Sequence, residues 1–251
     1  MVASYLRRGM AAGLLAGLLA GLFAFVTGEP LLDQAIGLEE SAHQQGQASP
    51  AHNHGGDGHA PGADGGELFS RSTQKVGLFF ATGLSGAFIG GLFGLAFAYL
   101  RGRLSSESDW TRSLSLAAAI FAGVALIPFL KYPANPPTVG DPATIGSRTA
   151  AYFAMVGLSL LAIVAAWYAS RLLGERGVST PVRQVAVGLG LVMVVSGLFV
   201  GLPATADPGE FPAGLLWSFR LSSLGTQLVL WAGLGVIFGL LCERANRGKL
   251  R

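Results

Sequence analysis

Charge is scarce in this chain. Only 12% of its 251 residues are Asp, Glu, Lys or Arg, against roughly 25% in an ordinary soluble domain. The shortage is concentrated in six stretches, approximately residues 9–27, 76–100, 114–130, 150–170, 185–202 and 221–242. Each is near or above the roughly 18 to 20 residues that cross a bilayer core. Almost every apolar residue belongs to one of them, so no soluble domain of useful size is left over. Cysteine is nearly absent too. Cys242 stands alone, which excludes an intrachain disulfide and any multi-cysteine metal site. It lies beside Glu243 and Arg244 and reads as a small residue at a helix end. No Gly-x-x-x-x-Gly-Lys-[Ser/Thr] run occurs, so the chain has no phosphate-binding loop of that type. No nucleophile–base pair and no His-Glu motif on a helix appears, which argues against an enzyme. Nothing points to nucleic acid. The spans hold no histidine, and at mid-depth their available ligands reduce to Thr82, Ser85, Met155, Ser159, Met193, Ser196, Thr226, Gln227 and backbone at glycine breaks.

What is present is as uneven as what is missing. All four histidines, His43, His52, His54 and His59, sit between the first two apolar stretches. Neutral imidazole is a common ligand for divalent transition metals. The segment His52-Asn-His54-Gly-Gly-Asp57-Gly-His59 can fold three imidazoles and the Asp57 carboxylate around one ion. Its spacing matches no rigid zinc finger, so modest affinity and quick release are expected. Residues 41–66 are rich in Gly, Gln, Ala, Ser and Pro and are predicted to be disordered without a ligand. Ahead of them, Leu31, Leu32, Ala35, Ile36 and Leu38 recur at roughly helical spacing, with Pro30 suited to a first turn. This predicts an interfacial helix carrying the acids Glu29, Asp33, Glu39 and Glu40.

Lys and Arg divide unequally between alternate sides of the six stretches. One side holds Arg7, Arg8, Arg101, Arg103, Arg112, Arg171, Arg176, Arg183, Arg244, Arg247, Lys249 and Arg251. The other holds only Arg71, Lys75, Lys131, Arg148 and Arg220. Cytoplasmic loops collect positive charge, so both termini are expected in the cytoplasm and the histidine loop outside, in the cytoplasmic (inner) membrane. The pair Arg7-Arg8 before an apolar run could open a signal peptide. No Ala-x-Ala site follows, however, and Gly9, Gly13, Gly17 and Gly21 line one helical face, as close packing in a membrane requires. The first span is therefore expected to be retained. Gly86, Gly90 and Gly94 repeat the device on the second span, so these two are predicted to pack together.

The two remaining outer loops are broken by proline. Lys131-Tyr-Pro-Ala-Asn-Pro-Pro137 opens one, and Pro203-Ala-Thr opens the other. Proline holds such segments extended. With Lys131, Asn135, Asp141, Arg148, Asp207, Glu210 and Arg220, and the acids of the interfacial helix, they form a candidate entrance. Tyr132, Trp217 and Phe219 read as interfacial belt residues.

The run Glu29-Pro-Leu-Leu-Asp-Gln-Ala-Ile-Gly-Leu-Glu-Glu40, the histidine-bearing loop, Pro-Phe-Leu-Lys-Tyr-Pro-Ala-Asn-Pro-Pro137 and Gly146-Ser-Arg-Thr149 together resemble the CbtA family of predicted cobalt transporter subunits. The resemblance implies cobalt uptake linked to cobalamin synthesis, often with a small one-span CbtB-like partner that bears histidines. No ligand set is carried over from it. The fold expectation is an all-α integral membrane protein: one domain, a six-helix transmembrane bundle with a long disordered histidine-containing outer loop. The functional expectation is uptake of Co²⁺, with Ni²⁺ or Zn²⁺ also fitting, and with no permanently bound cofactor. The alternative is a metal-responsive sensor or scaffold without flux of its own. A homo-oligomer or a partner would supply the ligands that the spans lack.

Overall fold

A computed structural model describes residues 2–47, 71–103, 108–136, 139–140, 142–204, 209 and 211–247. Among them every regular element is helical. The helices are α1 (Val2–Thr27), α2 (Glu29–Gln47), α3 (Arg71–Leu100), α4 (Asp109–Phe121), a π turn (Ala122–Leu126), α5 (Ile127–Lys131), α6 (Ile145–Glu175), α7 (Thr180–Gly201) and α8 (Ala213–Arg247). Six segments are long and apolar enough to cross a membrane, with α4, the π turn and α5 acting as one, Asp109–Lys131. Hydrocarbon offers no partner to a peptide group, so a spanning segment must satisfy its own backbone, and helix is the form that does so. The helices outrun the charge-free stretches at most ends. α8, for example, begins at Ala213 and carries Arg220 inside it, because a charged residue ends the apolar run without ending the hydrogen-bond ladder.

α1 and α3 lie antiparallel with backbone against backbone. Gly9 faces Gly90 and Gly94, Gly13 faces Gly86 and Gly90, and Gly17 faces Thr82 and Gly86. A Cβ built on Gly13 would stand 2.7 Å from the Gly90 Cα. Gly21 meets the Thr82 side chain, whose hydroxyl donates back to Leu78 O at 2.8 Å. α8 covers the other flank of α1, with Ala16 near Gly233 and Phe23 against Gly225. α4 packs on α8 in turn. Ser113 Oγ, fully buried, donates to Gly235 O at 2.7 Å. Gly123 in the π turn faces Leu160 and Ile163 of α6. α6 pairs with α7, which buries no residue of its own.

The two ends of the bundle differ. At the end that carries both termini, Tyr5, Phe93, Phe97 and Phe238 form a solid core. Ring centroids are 4.9 Å apart for Phe97–Phe238 and 5.2 Å for Phe93–Phe238. Here the buried Asp109 carboxylate accepts from Arg101 Nε at 2.8 Å, Arg112 Nη1 at 3.1 Å and Asn246 Nδ2 at 3.0 Å. It ties the α3–α4 connection to α8. Ser108 caps α4, its hydroxyl accepting from Thr111 N at 3.0 Å, and an acid in the first turn suits the helix dipole. The opposite end is hollow.

α2 follows α1 across the single residue Gly28, whose N–H donates to Ala24 O at 2.7 Å. It buries Ala35 and touches α8. It runs on to Gln47, past the boundary expected at Ser41. The sequence offers no break there, with no proline or glycine between Gly37 and Gly46, and Ser41 Oγ returns a hydrogen bond to Gly37 O at 2.8 Å. His43 therefore belongs to the helical backbone. Residues 48–70, with His52, His54, Asp57 and His59, lie outside the described residues.

Candidate functional site

The hollow end encloses a cavity of about 1080 Å³. Its walls come from the end of α1, the start of α2, the α5–α6 connection, the first turns of α6 and the first half of α8. The π turn supplies Val124 and Ala125. Two prolines shape the rim. Pro133 and Pro136 cannot continue the α5 helix, so the chain turns across the bundle end, and Val139 N donates to Pro136 O at 3.2 Å.

Of the entrance residues, Glu29, Asn135, Arg148 and Arg220 line this cavity. Arg220 donates to Asn135 Oδ1 through Nη2 at 2.8 Å and Nε at 3.3 Å. This fork fixes the α5–α6 connection to α8 across the mouth. Arg148 Nη1 reaches Val139 O at 3.4 Å. Lys131 turns aside instead. Its ammonium donates to Phe199 O at 2.8 Å, in the last turn of α7, where a cation offsets the negative end of the helix dipole. It also lies 5.3 Å from the Tyr132 ring centroid. Tyr132 OH donates to Pro203 O at 2.7 Å, and burial pushes its phenol pKa up. The two proline-broken connections are thus joined to each other through adjacent residues of one chain segment.

Asp33 and Glu40 are exposed on α2, and the side chain of Glu39 and that of His43 are outside the described set. Asp141, Asp207 and Glu210 lie outside the described residues. The charged groups that line the cavity among the described residues are therefore one carboxylate and two guanidinium groups. Among the described residues no three His, Cys, Asp or Glu side chains come together as a metal site. Below the rim the wall is hydroxyl-rich and amide-bearing: Ser222, Ser223, Thr226 and Gln227 of α8. Ser222 Oγ is 2.8 Å from Thr27 Oγ1, which pins α8 to the end of α1 at this depth. Phe219 joins the lining, while Trp217 is exposed on the outer surface of α8.

Sequence reasoning did not single out the π turn in the third span. Pro128 was its available signal, a proline inside an otherwise helical apolar run. The Asp109 cluster was also missed. Its visible signal was an acid placed among Arg101, Arg103 and Arg112 on the basic side of the chain.

The chain matches, over residues 2–243, the family described as "Probable cobalt transporter subunit (CbtA)". No curated protein and no solved structure matched it.

Proposed function

We propose, because the chain belongs to the CbtA family of probable cobalt transporter subunits, that it admits Co²⁺ to the cell through the hollow end of its bundle. The observation that carries this reading is the cavity of about 1080 Å³, which opens at the end away from both termini and reaches the π turn. By the distribution of Lys and Arg, that end faces outward and both termini face the cytoplasm. The membrane is then the cytoplasmic one. A divalent cation moving inward gains about 4.6 kcal/mol per 100 mV of potential, from roughly 2.3 per charge, so no nucleotide is needed to drive accumulation.

The described cavity wall does not itself concentrate cations, since Arg148 and Arg220 oppose the single Glu29. Capture falls to the loop that joins α2 and α3. His43, near the end of α2, and His52, His54, His59 and Asp57 of the loop hold the ion loosely, and α2 leads from that loop to the cavity, since Glu29 and Leu32 at its start form part of the wall. Asp33 and Glu40 add negative charge along α2, and Glu39, Asp141, Asp207 and Glu210 belong by sequence to the same outer side. The ion delivered inward supplies cobalamin synthesis. As a subunit, the chain works with others. A small one-span CbtB-like protein or a second copy completes the path, and the apolar flank of α7, which buries nothing within this chain, leaves room for either.

The test is uptake of radioactive cobalt at limiting concentration by cells carrying the chain with residues 42–59 removed. The external cobalt needed for half-maximal uptake should rise while the maximal rate persists. Unaltered uptake at limiting cobalt would sink the capture role. Metal binding by the loop without any effect of the chain on uptake would leave the sensor or scaffold reading.

A further inference from the structure

Beside the aromatic core, at the end that carries both termini, the starts of α1 and α4 and the end of α3 surround a second pocket of about 410 Å³. Val2, Tyr5, Ala98, Arg101, Gly102 and Arg112 line it. The charge-free run of α3 stops at Leu100, and that of α4 begins at Leu114. Arg101 and Arg112 therefore stand within a turn of the hydrocarbon edge. That is the depth of the headgroup layer, which adds roughly 5–7 Å on each side of a bilayer core.

Charge in this pocket is one-sided. Its two arginines share the Asp109 carboxylate, Arg101 Nε at 2.8 Å and Arg112 Nη1 at 3.1 Å from one oxygen. The other oxygen accepts from Asn246 Nδ2 at 3.0 Å. One negative charge thus meets two guanidinium groups, each a planar fork of five N–H donors. The buried Arg112 Nε has no acceptor among the described residues. Further cations stand close. Arg8 and Arg101 each lie 5.7 Å from the Tyr5 ring centroid, and Arg103 lies 4.1 Å from that of Tyr99. Over residues 1–8 and 101–113, Arg7, Arg8, Arg101, Arg103 and Arg112 stand against Glu107 and Asp109 alone. The positive excess therefore survives any further pairing within these segments.

An apolar track leads to the same place. Phe88, Leu92, Leu95 and Tyr99 are exposed on α3, and their spacing puts them in one helical row. Gly102 is the next position of that row. A Cβ built there meets nothing within 4 Å, so the pocket is open where the row reaches it.

We propose that this pocket binds the phosphate of an anionic phospholipid, with an acyl chain lying along Tyr99, Leu95, Leu92 and Phe88. Basic pockets between membrane helices suit such headgroups, and the apolar row is what a free phosphate would not use. The bound phosphate bridges Arg101 of α3 and Arg112 of α4, and so fastens the α3–α4 connection beside Asp109. The site is separate from the large cavity and does not depend on the import reading.

The experiment uses the full chain purified in detergent. Dioleoyl phosphatidylglycerol, dioleoyl phosphatidylcholine and inorganic phosphate are titrated separately, with native mass spectrometry reading occupancy and thermal unfolding reading stabilisation. Phosphatidylglycerol should bind at about one molecule per chain and raise the midpoint by roughly 5 °C near saturation. Phosphatidylcholine and inorganic phosphate should bind about tenfold more weakly or worse. Gly102→Leu fills the open wall and leaves every arginine in place; it should weaken phosphatidylglycerol binding by about tenfold, and so should Arg112→Gln. Arg171→Gln removes an equal charge from the exposed Arg171–Glu175 pair at the end of α6 and should leave the affinity unchanged. If Arg112→Gln does not fold, the Gly102 comparison decides. Equal affinity for the two lipids, unaltered affinity in Gly102→Leu, or an equal loss in Arg171→Gln would overturn the site. Inorganic phosphate binding as tightly as phosphatidylglycerol would overturn the lipid as its occupant.

Discussion

Replacing Gly13 by alanine should loosen the α1–α3 contact that organises half of the bundle. The added methyl would overlap the Gly86 carbonyl oxygen, stand 2.7 Å from Gly90 Cα and 2.9 Å from Gly86 C. All three are backbone, so no side chain can swing away. Ordinary carbon contacts lie near 3.5–4.0 Å, and the two helices must separate by about 1 Å to reach them. A gap of that size forfeits roughly a quarter to a half of each dispersion well along the seam, and overpacking of this type costs about 1–3 kcal/mol. Alanine returns about 0.5–1 kcal/mol through its better helix propensity. The net loss is about 1–2 kcal/mol, or a fall of roughly 2–8 °C in midpoint for a chain of this size. The assay is thermal unfolding of the purified protein in detergent, followed by size exclusion. Gly188→Ala on α7 is the control, because nothing lies within 4 Å of a Cβ there. That variant should match or slightly exceed the unmodified protein. Equal midpoints for Gly13→Ala and Gly188→Ala would refute the close backbone approach.

Asp109→Ala removes the acceptor shared by Arg101, Arg112 and Asn246. It should cost about 2–3 kcal/mol, below the usual 3–5 for a broken buried pair because Arg101 is partly exposed and can rehydrate; the same thermal assay reads it, and an unchanged midpoint would contradict the clamp. Metal binding by the histidine loop should be strongest above the imidazole pKa of about 6.5 and fade below it, since protons compete for the same lone pair. Calorimetry of the loop peptide at two pH values checks this, and pH-independent affinity would exclude imidazole ligation. Asn53→Cys should react with a membrane-impermeant maleimide in intact cells, the natural thiol of Cys242 being fully buried; labelling only after lysis would reverse the orientation.

Much of this architecture can be read from the chain before any coordinates. Runs without charge locate six spans because lipid penalises charge wherever it lies. Gly9, Gly13, Gly17, Gly86, Gly90 and Gly94 announce a close contact because a four-residue interval leaves one helical face bare. Pairing across distant sequence is not legible in this way. Nothing local to Arg220 shows that Asn135 will hold it, or that Lys131 will turn to a carbonyl of α7 rather than to an acid in its own loop. Nothing in the sequence around Asp109 shows that it will be buried under Arg101 and Arg112. Pro128 is visible inside an apolar run, but the π turn that precedes it is revealed only by the backbone geometry. In the sequence, polar and charged residues of the proline-broken loops and of α2 mark an entrance without showing which of them meet. Glu29, Asn135, Arg148 and Arg220 do meet around one cavity, whereas Asp33 and Glu40 stay on the exposed face of α2.

The most direct measurement is accumulation of radioactive cobalt in cells that naturally carry the chain, compared with the same cells lacking it, at cobalt concentrations low enough to limit growth. Inward passage through the cavity predicts less cobalt inside the cells without the chain, restored when it is returned. Equal or greater accumulation in its absence would contradict import.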